Sequence, residues 1–429
     1  MTNPWGIGLA LLAFACFAAG APAADLAGTW TGTWTKDGDA LVVTVTFDQS
    51  QQGVSGFFDS DALQVSQIPF GATSYTPPHV HFVLAGDSTT SVFDGTLKGD
   101  LVEGSFTEAG TKGSFRLVRT HGTHAAVEAR EVAFGNGKVT LAGTLLVPAG
   151  AGPHPAVLFL HGSGAEGRWA NRYLAERFLG AGFAALITDK RGVSQSTGDW
   201  HTAGFEDLAE DGASGIRFLR SQPDIDGRKI GVYGHSQGGT LAPLVATRAG
   251  NVAFVIGSAA GGIDLADMEE YSVGNSIGVP ALPPDEAADA KSFVRAIVDV
   301  GYRGRSRGEL DLLAARFKGR AWYFDPPPPE NFYWSFARRI AAYTPAAYWR
   351  QVKAPVLLLF GERDERVPPV RSSRAIVAAL HAGGNRNVTL RMFPGADHTF
   401  SLPTPKGGWP KHVPDYADAM IAWARDKTK

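Results

Sequence analysis

Residues 229–239 read KIGVYGHSQGG, and this stretch decides the fold. The apolar, β-branched run at 230–233 predicts a buried strand, and the residues from Gly238 onward predict a helix. Between them, Gly234, Ser236 and Gly238 form the pattern G-x-S-x-G, which is typical of a sharp strand-to-helix turn. Such a turn lifts the serine hydroxyl out at the carboxyl edge of a sheet, and the helix N-terminus behind it favours developing negative charge. The stretch therefore predicts that Ser236 is a nucleophile.

A nucleophilic serine needs a base, and the base needs an acid that orients it. Asp364 follows a strand predicted at 356–360, and His398 follows another predicted at 388–392. In chains that use this serine turn, the acid and then the histidine come later in the sequence. We expect His398 to take the proton of Ser236 and Asp364 to hold the imidazole tautomer. The weaker candidates for base or acid are His381, His412, Glu362, Glu365 and Asp397.

The negative oxygen that forms during acyl transfer needs backbone N–H donors. One donor is expected from Gln237, the residue after the nucleophile. The other is expected from the loop after a strand predicted at 156–160, which reads HGSG at residues 161–164. Small residues there let the backbone approach a substrate. We therefore predict that Ser163 and Gln237 form an oxyanion hole.

Two groups near the same predicted sheet edge are interpreted as structural. His161 opens the HGSG loop, and Asp189 and Arg191 belong to the segment Asp189-Lys190-Arg191-Gly192 after the next strand. We expect Asp189 and Arg191 to take part in local ion pairs.

Residues 130–429 alternate between predicted strands and predicted helices. The strands are continuous Val, Ile, Leu and Ala runs, at 156–160, 184–188, 230–233, 252–256, 356–360 and 388–392. Such runs indicate a sheet that helices bury on both faces, and so an α/β fold. No strand is evident between 262 and 354, where helical pieces and aromatic residues occur. We predict a helical cap inserted at about 263–350, and its aromatic side chains form either an acyl or aryl pocket or the cap's own core.

Residues 25–120 predict a separate all-β domain. Short alternating runs at 41–47, 80–84, 92–97, 101–106 and 114–118 are separated by Gly-containing turns. Their spacing is that of a β-meander, so we expect a small barrel or sandwich. Trp30 and Trp34, in two Gly-Thr-Trp repeats, either plug the end of this domain or stack on a ligand. Residues 121–126 are interpreted as a linker.

Residues 1–23 read as a secretory signal peptide. An uncharged apolar run at 7–19 precedes Ala21-Pro22-Ala23, a small-residue cleavage pattern. The only cysteine, Cys16, lies inside this segment, so a chain cleaved after Ala23 would hold no thiol. We expect a periplasmic or secreted protein without a membrane anchor.

The composition excludes several classes of partner. The formal net charge is −2 with 19% charged residues. No basic stripe or nucleic-acid motif is present, so no nucleic-acid partner is expected. His79 and His81 share a strand face without a third ligand, so no metal is expected either. The expected partner is a small ester or acyl substrate, no cofactor is expected, and the sequence leaves the oligomeric state open.

Together these residues resemble the α/β-hydrolase superfamily over about 130–427. The resemblance rests on the segments at 161–164, 189–192, 234–239, 361–364 and 397–398, and is strongest to bacterial secreted esterases, dienelactone hydrolases and the prolyl oligopeptidase catalytic domain. It implies an eight-stranded, mostly parallel sheet and ester or amide hydrolysis without a cofactor. The N-terminal domain resembles lipocalin-like modules through its Gly-x-Trp start.

Three functions compete at this stage. The first is a secreted serine esterase that uses Ser236, His398 and Asp364. The second is a serine peptidase for short peptides or acyl-aminoacyl substrates, for which Glu269-Glu270 would offer a site for an amine. The third is a binding protein that holds a lipid or glycan and keeps the hydrolase fold as a scaffold. Fold alone does not separate them.

Overall fold

The structure is a computed structural model that describes residues 25–51, 53–85, 89–120, 128–404 and 408–429. The predicted signal peptide and the predicted linker at 121–126 lie outside these residues. The chain divides into two compact units: the first takes the described residues up to Trp34, 44–57 and 69–120, and the second takes 35–43, 58–68 and the described residues from 128 onward. Among the residues just given, no helix combines the length and apolar character that crossing a membrane requires.

The residues up to Arg119 form one nine-stranded sheet. Its strands in chain order are β1 (Gly28–Lys36), β2 (Asp39–Ser50), β3 (Gly53–Ser60), β4 (Val65–Pro69), β5 (Ala72–Thr76), β6 (His79–Ala85), β7 (Thr90–Lys98), β8 (Leu101–Glu108) and β9 (Thr111–Arg119). Two meanders, β4-β3-β2-β1 and β9-β8-β7-β6-β5, are joined where β1 pairs with β9. The pairings from β5 to β9 are antiparallel, which confirms an antiparallel N-terminal region.

An aromatic core covers one face of this sheet. Alternate residues of a strand face the same side, so Phe82 and Phe93 on neighbouring strands stack at 4.4 Å between ring centroids. Phe106 continues the stack beside Phe93 at 4.9 Å. Trp30 and Trp34 are fully buried in the same unit. Their burial favours the packing interpretation over ligand stacking.

Strands β1, β3, β4 and β5 were not predicted from the sequence, and glycine explains the omission in part. Glycine normally weakens a strand or marks a turn. Here a side chain at Gly32 in β1 would place its Cβ 1.9 Å from the carbonyl oxygen of Arg116, and one at Gly56 in β3 would place it 2.6 Å from that of Thr46. These glycines are required by close approach between neighbouring backbones, not by turns.

The second unit contains a mixed sheet of eight strands. They are β10 (Glu128–Asn136), β11 (Val139–Val147), β12 (His154–Leu160), β13 (Ala184–Thr188), β14 (Ile225–His235), β15 (Phe254–Ser258), β16 (Val356–Gly361) and β17 (Val388–Phe393). The order across the sheet is β10-β11-β13-β12-β14-β15-β16-β17. The first two strands run antiparallel to their neighbours, and every pairing from β13 to β17 is parallel. Two residues form each strand of a small separate ladder, β18 (Ser401–Leu402) with β19 (Lys411–His412).

Among the described residues, ten α-helices accompany this sheet. They are α1 (Arg172–Gly180), α2 (Phe205–Ser221), α3 (Gln237–Ala249), α4 (Leu265–Ser276), α5 (Pro284–Tyr302), α6 (Gly308–Phe317), α7 (Phe332–Ile340), α8 (Pro345–Trp349), α9 (Pro369–Ala382) and α10 (Tyr416–Lys427). Alternate residues of β12 enter different cores: Leu158 and Leu160 pack in one, Val157 and Phe159 in the other. Because both faces of this strand are buried, its sequence is apolar from Ala156 to Leu160.

Helices α4 to α8 occupy the chain between β15 and β16, where the sequence predicted an insertion. They have an apolar core of their own that includes Phe293, Phe317, Trp322 and Trp334. The indole N–H of Trp334 donates to the carbonyl of Pro328 at 2.9 Å. Trp322 and Trp334 therefore contribute to the packing of the insertion.

Candidate active site

Ser236 sits on a strained turn between β14 and α3. Its φ of 54° and ψ of −116° lie where a residue with a side chain is rarely found. The turn is possible because the residues two positions before and two positions after Ser236 are glycines. A Cβ on Gly234 would lie 2.3 Å from the backbone of Gly238, and one on Gly238 would lie 2.7 Å from the carbonyl oxygen of His161. The Ser236 N–H donates to the carbonyl of Ser258 at 2.9 Å, which ties the turn to β15.

The structure brings Ser236, His398 and Asp364 together. His398 Nε2 lies 3.0 Å from Ser236 Oγ. On the other side of the ring, Nδ1 lies 3.0 Å and 2.9 Å from the two carboxylate oxygens of Asp364. The carboxylate accepts the Nδ1 proton, so Nε2 is left with a lone pair that faces the serine hydroxyl.

Asp364 is held by its own loop. Its side chain is buried, and Oδ1 also accepts the backbone N–H groups of Arg366 at 2.8 Å and Val367 at 2.7 Å. The phenol of Tyr271, from α4, donates to the Asp364 carbonyl at 2.7 Å. These contacts fix the carboxylate before any substrate binds.

The weaker candidates have other local partners. Asp397 accepts the backbone N–H of Thr399 and of Ser401, and so shapes the loop that carries the histidine. Glu362 accepts the Gly395 N–H at 2.9 Å. His412 lies in β19 next to Ser401, and His381 lies near the end of α9. None of these groups is the partner of the Ser236 hydroxyl among the hydrogen bonds of the described residues.

The predicted oxyanion segments lie side by side. Gln237 is the first residue of α3. The next residue, Gly238, packs so closely against the carbonyl oxygen of His161 that a Cβ there would lie 2.7 Å from it. Within the HGSG loop, the Gly162 N–H is already used, because it donates to the Glu166 carboxylate at 2.6 Å. The next residue, Ser163, is exposed, and its N–H is one that the loop can offer a ligand.

The structural interpretation of the neighbouring polar residues agrees with their contacts. Asp189 pairs with Arg168 at 2.7 Å, and Arg191 pairs with Asp211 at 2.6 Å. His161 Nε2 donates to the Thr188 carbonyl at 2.6 Å. Burial, with a smaller effect from the nearby lysine ammonium, lowers the pKa of His161 to about 4, so it is neutral near pH 7.

Sequence reasoning missed a buried polar chain behind the histidine. His235 Nδ1 lies 3.1 Å from Ser258 Oγ, which lies 2.7 Å from the Tyr416 hydroxyl, and that hydroxyl lies 3.0 Å from the hydroxyl of Tyr233. The His235 ring also packs 5.0 Å from the ring of His398. Burial and the proximity of His398 lower the pKa of His235 to about 3, so it stays neutral beside that ring. The partners come from β15 and α10, which no local motif connects.

No group of three or more His, Cys, Asp or Glu side chains within the described parts of the chain is arranged to hold a metal ion. The chemistry that the site offers directly is that of a hydroxyl, an imidazole and a carboxylate in a hydrogen-bonded row.

The mixed sheet with its serine turn defines a protein of the α/β-hydrolase superfamily. Residues 136–396, more than half of the chain, match the family model described as X-Pro dipeptidyl-peptidase (S15 family). The chain therefore belongs to the S15 family. The matched region contains Ser236 and Asp364 and ends two residues before His398.

Curated relatives include both esterases and peptidases. Esterase EstD of Thermotoga maritima is 24% identical over 272 residues, which are 60% of this chain and 57% of that protein. The uncharacterized peptidase YuxL of Bacillus subtilis is 24% identical over 389 residues, 86% of this chain and 50% of that one. The chain thus spans about half the length of these two relatives.

Similar solved structures include an esterase from Pyrococcus furiosus, with a TM-score of 0.46 and 17% identity over 72% of this chain and 97% of that one. Acetyl xylan esterase 1 from Thermoanaerobacterium has a TM-score of 0.43 and 17% identity, and covers 72% of this chain and 86% of its own.

Proposed function

We propose that this protein is a serine hydrolase that cleaves carboxylic esters through an acyl-enzyme on Ser236. The observation that carries the proposal is the continuous row Ser236 Oγ, His398 and Asp364, with contacts of 2.9–3.0 Å, at a strained strand-to-helix turn. A hydroxyl held this way has a base within reach of its proton, and the base has an acid that fixes its tautomer. Backbone strain at a residue lowers the folding free energy gained, and such strain is found mainly at functional sites.

The proposed reaction has two halves. Ser236 Oγ attacks the ester carbonyl carbon while its proton moves to His398 Nε2, and the carbonyl oxygen becomes an oxyanion. Collapse of this intermediate breaks the bond to the leaving alkoxide, which receives the proton from His398. Water then repeats the sequence on the acyl-enzyme, with His398 again as base, and releases the acid and free Ser236. Asp364 stabilises the imidazolium in each half.

The oxyanion is proposed to bind the N–H groups of Gln237 and Ser163. The Gln237 N–H is at the N-terminus of α3, where the helix dipole adds a favourable positive end. Removing one such donor typically lowers kcat by about 10²–10³-fold. This electrostatic contribution is independent of whether the leaving group is an alcohol or an amine.

The contacts of Glu269 and Glu270 favour an ester over a peptide substrate. These residues are consecutive on α4, so their side chains point about 100° apart. Glu270 is engaged by Arg303 at 2.7 Å. The two carboxylates therefore do not form a joint site for an ammonium group. The relative EstD is an esterase, which is consistent with the same proposal.

A peptidase is the second candidate function. Glu269, acting without Glu270, could offer it a site for a substrate amine. Its carboxylate accepts the phenol of Tyr333 at 2.9 Å, and burial raises its pKa. A substrate ammonium brought to this carboxylate would compensate the cost of burying the charge. The relative YuxL and the family description both concern peptidases.

A paired assay separates the two. p-Nitrophenyl esters from acetate to palmitate are compared with aminoacyl p-nitroanilides that carry a free or an acetylated amine. We expect ester turnover in the wild type, and Glu269→Gln to leave kcat/KM for the esters within about twofold. If the chain is instead a peptidase, Glu269→Gln should lower kcat/KM for the free-amine anilides by about 10–100-fold, the value of one charged hydrogen bond.

The matched control is Glu270→Gln, because this carboxylate already pairs with Arg303 and should not affect amine selectivity. Hydrolysis of the anilides without hydrolysis of any ester would refute the esterase proposal. Tight binding of lipid or glycan with neither turnover would favour the scaffold alternative.

We further propose that the protein acts outside the cytoplasm, as a periplasmic or secreted enzyme. The basis is the apolar segment and the Ala21-Pro22-Ala23 pattern of the sequence. Cell fractionation followed by N-terminal sequencing tests this, and a chain retained in the cytoplasm with residues 1–23 attached would contradict it.

A further inference from the structure

Lys190 is a buried cation that the sequence analysis did not assign. It follows β13 and is only 3% exposed. Its ammonium donates to the carbonyl of Gly162 at 2.6 Å and to that of Gly164 at 2.7 Å. A third contact, 3.4 Å long, reaches Oε1 of Gln237. One ammonium thus touches both segments that are proposed to form the oxyanion hole.

The contact to Gly162 determines where the Ser163 N–H points. The carbonyl of Gly162 and the N–H of Ser163 belong to the same peptide unit. That unit is trans, since the cis bonds in the described residues are at Pro78 and Pro153. In a planar trans peptide the C=O and the N–H point in opposite directions. A carbonyl held on Lys190 therefore directs the Ser163 N–H away from the lysine.

A second buried group prevents the neighbouring peptide from taking this role. The Glu166 carboxylate accepts the Gly162 N–H at 2.6 Å. Lys190 and Glu166 together thus occupy the carbonyl and the N–H of Gly162. Gly164 has a φ of +84°, a left-handed conformation that suits glycine, at the point where the loop brings a second carbonyl to the same ammonium.

We propose that Lys190 is a positioning residue for the hydrolytic site, which sets the Gly162–Ser163 peptide so that the Ser163 N–H faces the oxyanion. This inference rests on the proposed function. Lys190 does not touch the substrate in this account. It acts through the loop, and it couples the loop to Gln237 so that the two N–H donors keep a fixed separation.

Such a device should respond to pH. Burial lowers the pKa of Lys190 to about 8, against a smaller opposite effect of the Glu166 carboxylate. The His161 ring, which senses the Lys190 charge, is neutral near pH 7, and the neighbouring Asp189 and Arg191 pair with Arg168 and Asp211. The lysine is therefore charged at neutral pH and loses its proton as the pH rises through about 8. A neutral amine holds carbonyl oxygens less strongly than an ammonium does.

The test uses Lys190→Met, with Lys353→Met as the matched control. Lys353 also donates to a glycine carbonyl, that of Gly383 at 2.6 Å, but on an exposed loop. We expect Lys190→Met to lower kcat for a p-nitrophenyl ester about 10–100-fold, somewhat less than the loss of a whole oxyanion donor, with KM within about threefold. The control should leave both constants unchanged.

Two further readouts distinguish positioning from a general structural role. An alkyl boronic acid forms a tetrahedral adduct on serine with an oxygen in the oxyanion site, so Lys190→Met should weaken its binding by the same factor as kcat/KM. In the wild type kcat should decline as the pH rises through about 8. In Lys190→Arg, whose side chain keeps its charge, that decline should disappear.

The outcomes are separable. Full activity and unchanged boronic acid affinity in a folded Lys190→Met variant would overturn the inference while leaving the proposed function intact. If that variant does not fold, a wild-type kcat that stays flat to pH 10, or a decline that persists in Lys190→Arg, overturns it equally. A wild type that hydrolyses no ester and binds no boronic acid refutes the proposed function, and the inference with it.

Discussion

Replacing Ser236 with alanine is expected to lower kcat for ester hydrolysis by about 10⁴–10⁶-fold, down to the residual rate that the binding site and oxyanion donors supply. The physical reason is that Ser236 Oγ lies 3.0 Å from His398 Nε2. Among the hydrogen bonds of the described residues, no other hydroxyl contacts this nitrogen. KM should change little, because the hydroxyl contributes mainly to the transition state. Initial rates on the preferred p-nitrophenyl ester measure both constants.

Ser221→Ala is the control for this variant. Ser221 is an exposed serine at the end of α2 whose hydroxyl donates to the carbonyl of Phe218 at 2.7 Å. It should retain wild-type activity. A Ser236→Ala variant that keeps more than about a tenth of wild-type kcat would mean that another group attacks the ester, since a lost nucleophile costs several orders of magnitude.

Replacing Asp364 with asparagine is expected to lower kcat by about 10⁴-fold. The asparagine oxygen can still accept the N–H groups of Arg366 and Val367, which Oδ1 accepts now. Its amide nitrogen would then face His398 and donate to Nδ1. The ring would be forced to carry its proton on Nε2, so it could no longer accept the proton of Ser236.

Asp264→Asn is the matched control for this second variant. Asp264 caps α4 and also accepts two backbone N–H groups, those two and three residues later in the chain, as Asp364 does. No histidine depends on it for a tautomer among the described contacts. Asparagine caps helices as well as aspartate does, so activity and thermal unfolding should both be unchanged. Equal loss of activity in the two variants would assign the effect to loop packing.

The sequence was most informative where local pattern and chemistry coincide. The central parallel strands are buried and largely apolar, so β12, β13 and β16 could be located to within two residues of their observed bounds. The strand predicted at 252–256 is observed two residues later, at Phe254–Ser258, because ends of strands carry the weakest pattern. The superfamily followed from the motifs that join these strands.

The N-terminal sheet was less predictable because its glycines have a different cause from the usual one. Gly32 and Gly56 allow close approach of neighbouring strands, yet glycine in a sequence is more often a turn signal. The aromatic core that they accompany becomes visible only when the register of the strands is known.

The supporting groups of the active site were out of reach for a related reason. Lys190 was visible in its motif, but its partners are backbone carbonyls, which every residue possesses and no sequence distinguishes. Glu166 likewise binds a backbone N–H. His235 is linked by hydrogen bonds to Ser258 and, through it, to Tyr416. These residues lie 23 and 181 positions away in the chain and come together only in the folded protein. Tertiary placement, not residue type, gives these groups their environment.

The most direct test of the central claim is covalent labelling by a fluorophosphonate probe, read by intact mass and by peptide mapping. An activated serine reacts with this probe, whereas an ordinary hydroxyl does not. We expect one adduct per chain, located on Ser236, absent in Ser236→Ala and formed much more slowly in Asp364→Asn. A folded wild-type protein that stays unlabelled, or that carries the adduct on another residue, would contradict it.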